Sequence, residues 1–156
     1  MDKDNNDRVK NDSCERELVR RLMVSVNRID GIWYRLARKS GIKVNTLSLF
    51  FALDDGRPRT QAEICEEWLM PKTTLNTIVR ECVEEGYIKL LPSDNVKEKL
   101  VILTDKGRSY ADEILALFYR VEDEAMGKTV SERGPDFIDS LELYTDNLKK
   151  EAGVKK

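Results

Sequence analysis

The sequence predicts a mostly α-helical chain with one small β-hairpin, and three observations carry that prediction. Apolar residues recur at steps of three and four over most of the chain. Two short runs rich in branched and aromatic residues, YIKLL and KLVIL, interrupt that pattern once. Among 156 residues there are 8 Gly and 4 Pro while 36% are charged, a composition with few breakers that favours long surface helices.

The elements follow in order. Residues 1–14 read as a polar tail. Leu18, Leu22, Val26, Ile29, Trp33 and Leu36 then form the apolar stripe of one long helix over 15–40, weakened at Gly31 and ended at Gly41. The segment VNTLSLFFALDD predicts a short buried helix that stops at DDGRPR. In TQAEICEEW, Thr60 and Glu63 have the spacing of a capping box, and Ile64 and Trp68 are expected to face inward. Pro71 breaks that helix and suits the start of the next, KTTLNTIVRECVEE, with Leu75, Ile78, Val79 and Cys82 on its buried side and Gly86 as its stop.

YIKLL and KLVIL, joined by the turn-forming PSDNVKE, predict the hairpin. Thr104 and Asp105 open a helix with two adjacent stripes, one of Tyr110, Ile114, Leu117 and Val121, the other of Ala111, Leu115 and Phe118. So wide an apolar arc asks for a partner beyond its own domain. A last helix begins within SERGPD and carries Phe137, Leu141, Tyr144 and Leu148 at helical spacing.

Composition also excludes. No stretch approaches the roughly 20 apolar residues needed to cross a bilayer, and MDKDNNDRVKND holds no apolar signal region, so a cytoplasmic protein is expected. Histidine is absent, which removes His-based nucleophiles and the commonest metal ligand. The three cysteines, Cys14, Cys65 and Cys82, are odd in number and lack metal-ligand spacing, which points to reduced thiols. There is no glycine-rich phosphate loop either, so neither an enzyme nor a cofactor or metal is expected.

A capped short helix, a brief break, a second helix, a glycine stop and a charged hairpin make up, in that order, a winged helix-turn-helix. Its second helix must present short polar side chains to base edges from its first turns, with its amides near a phosphate. Lys72, Thr73, Thr74, Asn76, Thr77 and Arg80 meet that demand, and from Pro71 to Arg80 there is no acidic residue. The net charge of −2 gives the whole chain no attraction for phosphate, so this local field must supply it. Lys89, Asn95, Lys97 and Lys99 belong to the hairpin, and Arg57, Arg59, Thr60 and Gln61 to the approach to the first helix of the pair; these are the further candidate DNA contacts. The same residue types also suit an ordinary solvated surface, and hairpin lysines guard against strand aggregation.

The stretch from Thr60 to Gly107, ending in LTDKG at 103–107, resembles the MarR family of transcriptional regulators, and the likeness runs from about residue 15 to about residue 150. The resemblance implies an α-rich winged helix, with helices over 15–40 and 104–152 building a homodimer around a DNA-binding lobe over 42–103. It implies a repressor that binds a pseudo-palindromic site on double-stranded DNA. It also implies release by a small aromatic or phenolic anion, for which Trp33, Tyr34, Arg38, Phe50 and Phe51 are candidate pocket residues, although aromatics at helical spacing are more often core. Where the family carries Asp-x-Arg in the wing, this chain has Asn95-Val96-Lys97, which removes a carboxylate and replaces a planar fork by a point charge. Cys14 lies about five residues before the family's redox position, where Val19 stands. The alternative is a winged-helix protein-interaction module that has lost DNA binding.

Overall fold

The structure, a computed structural model, describes residues 3–93, 95 and 98–154, and of residues 3–13 the backbone alone. Among them are helices α1 (Lys3–Lys39), α2 (Val44–Leu53), α3 (Gln61–Glu67), α4 (Lys72–Glu84), α5 (Asp105–Arg133) and α6 (Asp136–Glu151). Three strands, β1 (Arg59–Thr60), β2 (Ile88–Pro92) and β3 (Lys99–Leu103), form one antiparallel sheet in the order β1-β3-β2. Two compact units divide the chain, Met1–Val44 and Asn45–Lys156.

The first unit is essentially α1. The helix begins at Lys3, so the segment expected as a tail is helical for most of its length. That stretch contains neither Gly nor Pro, and extending an existing helix adds a hydrogen bond for each residue fixed. Gly31 is passed without interruption, whereas Gly41, at φ 73°, ends the helix with Ile42 N–H bonded back to the Ala37 carbonyl at 3.1 Å. Leu18, Met23, Val26, Ile29 and Ile32 are exposed along it.

The second unit holds a core of Leu47, Leu49, Phe50 and Leu53 from α2, Ile64 from α3, Leu75, Ile78, Val79 and Cys82 from α4, Val101 from β3, and Ala111, Leu115 and Phe118 from α5. The capping box at α3 is complete: Glu63 N–H donates to Thr60 Oγ1 at 3.2 Å, and Thr60 N–H donates to Glu63 Oε2 at 2.6 Å. Those bonds to the ionised form hold the Glu63 carboxyl below its usual range. Ile64 is buried as expected, but Trp68 is 41% exposed. The difference arises because α3 ends at Glu67 and Trp68, at φ −97° and ψ 2°, has left the helical register. Leu69 follows with φ 46°.

The hairpin pairs Ile88 with Leu103 and Pro92 with Lys99. Strand β1, absent from the sequence reading, adds Arg59 opposite Val101 and Thr60 opposite Leu100; two residues are too few to show a period. Helix α5 is seated by its first turn. Thr104 Oγ1 accepts from Gly107 N–H at 3.0 Å and donates to the Gly86 carbonyl at 2.7 Å. Gly107 lies so close to the residue before β2 that a Cβ there would overlap the Tyr87 carbonyl. Arg108 donates to the Leu53 carbonyl at 3.1 Å, the Asp54 carbonyl at 2.8 Å and Asp54 Oδ1 at 3.2 Å, which caps the end of α2. About three turns further on, Tyr119 Oη donates to Asp54 Oδ2 at 2.5 Å; burial and this bond push its hydroxyl up to about 12. Of the two α5 stripes, Ala111, Leu115 and Phe118 are buried, and Val121 is exposed.

Two outcomes follow for stability. Gly107→Ala must displace backbone and is expected to lose about 3 kcal/mol, measured as a lower midpoint in urea at unchanged slope. Thr60→Ala is expected to lose about 1 kcal/mol at neutral pH. Because Glu63 titrates below its ordinary value in the folded state, its share of the cap is present above the unfolded value and is lost as pH falls through the folded one. The stabilities of wild type and Glu63→Gln should therefore differ at neutral pH and draw together as the pH is lowered into the acid range where Glu63 is protonated in the folded state.

Candidate nucleic-acid interface

Helix α4 has two faces of opposite character. Leu75, Ile78, Val79 and Cys82 are buried, and Thr73, Asn76, Thr77 and Arg80, at positions i, i+3, i+4 and i+7, are exposed together along the other side. Lys72 is exposed at the first helical position, and Thr74 is half-buried at the boundary between the faces. Pro71 occupies the N-cap, offers no side-chain bond, and the first turn carries no acidic residue. Its amides and dipole therefore face outward with the charge sign that suits an anion.

Polar detail along this face is specific. Thr77 Oγ1 donates to the Thr73 carbonyl at 3.0 Å, so its proton is committed within the helix. Arg80 Nε stands 3.9 Å from Glu84 Oε1 with both side chains 71% exposed, a loose pair that a phosphate or base edge can outcompete. At the far end Gly86, at φ 75°, stops the helix, with Tyr87 N–H bonded to the Cys82 carbonyl at 2.8 Å.

The hairpin places its cations differently from a simple basic edge. Lys89 and Lys99 are both exposed, but the register pairs Lys89 with Ile102 and Lys99 with Pro92, so pleating sends the two lysines to opposite faces. Asn95 is exposed in the turn, where its N–H donates to Ser93 Oγ at 3.1 Å and its carbonyl accepts from Glu98 N–H at 2.9 Å. Lys97 lies outside the described residues.

Around β1 the candidate contacts separate. Arg57 is 81% exposed, 3.7 Å from Asp55. Arg59 is 20% exposed and donates to the Ala52 carbonyl and to both Asp55 oxygens, at 3.1 and 2.9 Å, with Glu67 at 3.6 Å. The Arg57 N–H first, and then Arg59, hold Asp55 below the usual carboxylate range. Arg59 thus ties the α2–β1 turn together, a role sequence reasoning missed; the Asp55-to-Arg59 spacing was its only trace. The Thr60 hydroxyl is engaged in the cap, and Gln61 is half-buried with Oε1 fully enclosed.

The suggested pocket residues differ in burial and in their neighbours within each unit. Phe50 has no exposed surface and sits edge-on to Tyr87 and Tyr110, at centroid distances of 6.1 and 5.7 Å. Phe51 packs edge-on against Phe118 and Tyr119. Tyr34 and Arg38 instead line an open recess of about 370 Å³ with Gly41, Ile42, Lys43 and Val44, and Trp33, half-buried, is not among its lining residues. Cys14 is exposed, Cys65 half-buried and Cys82 buried. No helix among the described residues is long and apolar enough to cross a membrane.

Solved structures share this architecture at low identity. A MarR family regulator from Neisseria meningitidis aligns over 89% of this chain and 99% of its own with TM-score 0.76 and 19% identity. The Staphylococcus aureus MarR in complex with salicylate and kanamycin aligns over 94% and 97%, with TM-score 0.67 and 15% identity. Overoxidised AbfR bound to DNA aligns over 86% and 96%, with TM-score 0.61 and 16% identity. No curated protein matches the chain. The model of the MarR family matches residues 40–97, the stretch from the end of α1 to the hairpin turn, and the chain as a whole has the fold of MarR family transcriptional regulators.

Proposed function

We propose that this chain is a cytoplasmic, homodimeric transcriptional regulator, a repressor, that binds a pseudo-palindromic site on double-stranded DNA. The single observation that carries this reading is the exposed face of α4, four side chains capable of meeting base edges on a helix whose first turn is cationic and uncapped. Residues 42–103 act as the DNA-binding lobe, and helices over 15–40 and 104–152 as the dimerisation elements. Support for a dimer comes from large apolar side chains left exposed on those helices: Leu18, Met23 and Ile29 on α1, Val121 and Met126 on α5, and Leu141 and Leu148 on α6. Twofold symmetry then spaces the two α4 helices about 34 Å apart, one DNA turn.

Lys72 and Arg57 contact phosphates, Arg80 a base or phosphate, and Lys89, Asn95, Lys97 and Lys99 the backbone beside the wing. The recess bearing Tyr34, Arg38 and Lys43 suits a small aromatic anion, whose binding releases DNA; the salicylate complex of the Staphylococcus aureus protein is consistent with this. The regulator works without enzymatic chemistry or a cofactor. One observation favours a protein-interaction module instead: the net charge is acidic, and Arg59 is engaged by Asp55 and Glu67 rather than left to meet phosphate.

Anisotropy titrations against the DNA upstream of its own gene, over a series of salt concentrations, separate the two. Wild type is expected to bind with affinity falling as salt rises, and Lys72→Ala to weaken binding on all sequences while reducing the salt slope by about 1. A folded protein with no binding at low salt would establish the interaction module. Sedimentation equilibrium is expected to show a dimer, and Ile29→Glu a shift toward monomer.

A further inference from the structure

We propose that α4 divides its work by chemistry, Asn76 reading an adenine in the major groove and Thr77 packing against the methyl group of a neighbouring thymine. This inference rests on the DNA-binding reading and assigns the base preference at the centre of each half-site.

Each exposed side chain of α4 is limited by the hydrogen-bonding groups it has left to offer. Asn76 is exposed in the middle of the outward face, one turn beyond the cationic start, between Thr73 three residues before and Arg80 four residues after. Its side chain carries an acceptor and a donor a fixed distance apart. In the major groove only adenine presents the complementary pair on one base, the N7 acceptor and the N6 donor, and an Asn amide spans both. Guanine offers two acceptors at those positions and would leave the Asn carbonyl facing another acceptor.

Thr77 is constrained otherwise. Its hydroxyl proton is spent on the Thr73 carbonyl at 3.0 Å, so it has no donor for the acceptors that dominate the groove floor. What remains is an oxygen with lone pairs and a methyl group. The complementary feature in the groove is the thymine C5-methyl, which gains from apolar contact and needs no donor. Lys72 and Arg80, at either end of the same face, hold the helix to phosphate or guanine and set its depth. Adjacent residues on one helix thus point to adenine and thymine as neighbouring readouts.

The test begins with selection of binding sites from random-sequence duplexes by the wild-type protein. Each adenine of the enriched half-site is then replaced, in both halves, by 7-deazaadenine, which keeps base pairing and removes the N7 acceptor. Each thymine is likewise replaced by uracil, which removes the methyl. One adenine replacement is expected to weaken wild type about tenfold and to leave Asn76→Ala no weaker than on the unmodified duplex. One adjacent uracil replacement should weaken wild type several-fold and leave Thr77→Ser unaffected. Thermal melts of both variants matching wild type would confirm that exposed positions were changed without loss of fold. If 7-deazaadenine at every position weakens wild type and Asn76→Ala equally, or weakens neither, the assignment is overturned while DNA binding stands. If the wild type enriches no sequence, sequence-specific DNA binding itself is overturned, and the assignment with it.

Discussion

The second unit depends on how closely the start of α5 approaches the sheet. At Gly107 the helix backbone lies against the Tyr87 carbonyl with no room for a side chain, and Thr104 and Arg108, three residues before and one after, use the same turn to hold Gly86 and the end of α2. Three elements that are distant in sequence, α2, the α4–β2 junction and α5, are fixed relative to one another by one helical turn. Lys106 adds a bond from Nζ to the Glu85 carbonyl at 2.6 Å and lies 4.7 Å from the Tyr87 ring. The α4 helix is therefore positioned at its C-terminal end, through Gly86, and its N-terminal end is left to present the polar face.

Much of this was legible because it is written in local rules. The buried stripe of α4, the capping box of Thr60 and Glu63, the stops at Gly41 and Gly86 and the two hairpin strands each follow from periodicity or from a residue that only one backbone geometry tolerates. What escaped was what depends on chain ends or on distance. The start of α1 could not be seen because polar residues without breakers suit helix and tail alike. Trp68 fell outside the core because α3 ends one residue before it, at Glu67, and its backbone has left the helical conformation. Strand β1 and the Arg59 clasp exist only by virtue of β3 and the Asp55 turn.

At the candidate interface the sequence separated the buried and polar faces of α4 but overstated the free charge near β1. Six α4 residues were expected; five are exposed and Thr74 is half-buried. Near β1, composition treated Arg57 and Arg59 as equivalent, although one is 81% exposed and the other 20%. An arginine flanked by acidic residues is as much a structural fork as a phosphate ligand, and only the folded turn decides between them. The pocket residues suffered in the same way: aromatic identity could not distinguish Phe50, wholly enclosed among other rings, from Tyr34 at the edge of a recess.

The neutralisation of Arg59 and the splitting of Lys89 and Lys99 between two faces of the hairpin bear on how such a protein would find its site. Each cation withdrawn from the contact surface lowers the hold on random DNA, since that background affinity is almost wholly electrostatic. Sliding along the chromosome would then be shorter, and more of the search would run through separate encounters. Competition from the excess of incorrect sites would be correspondingly mild, so that a modest number of protein molecules suffices to occupy a correct one.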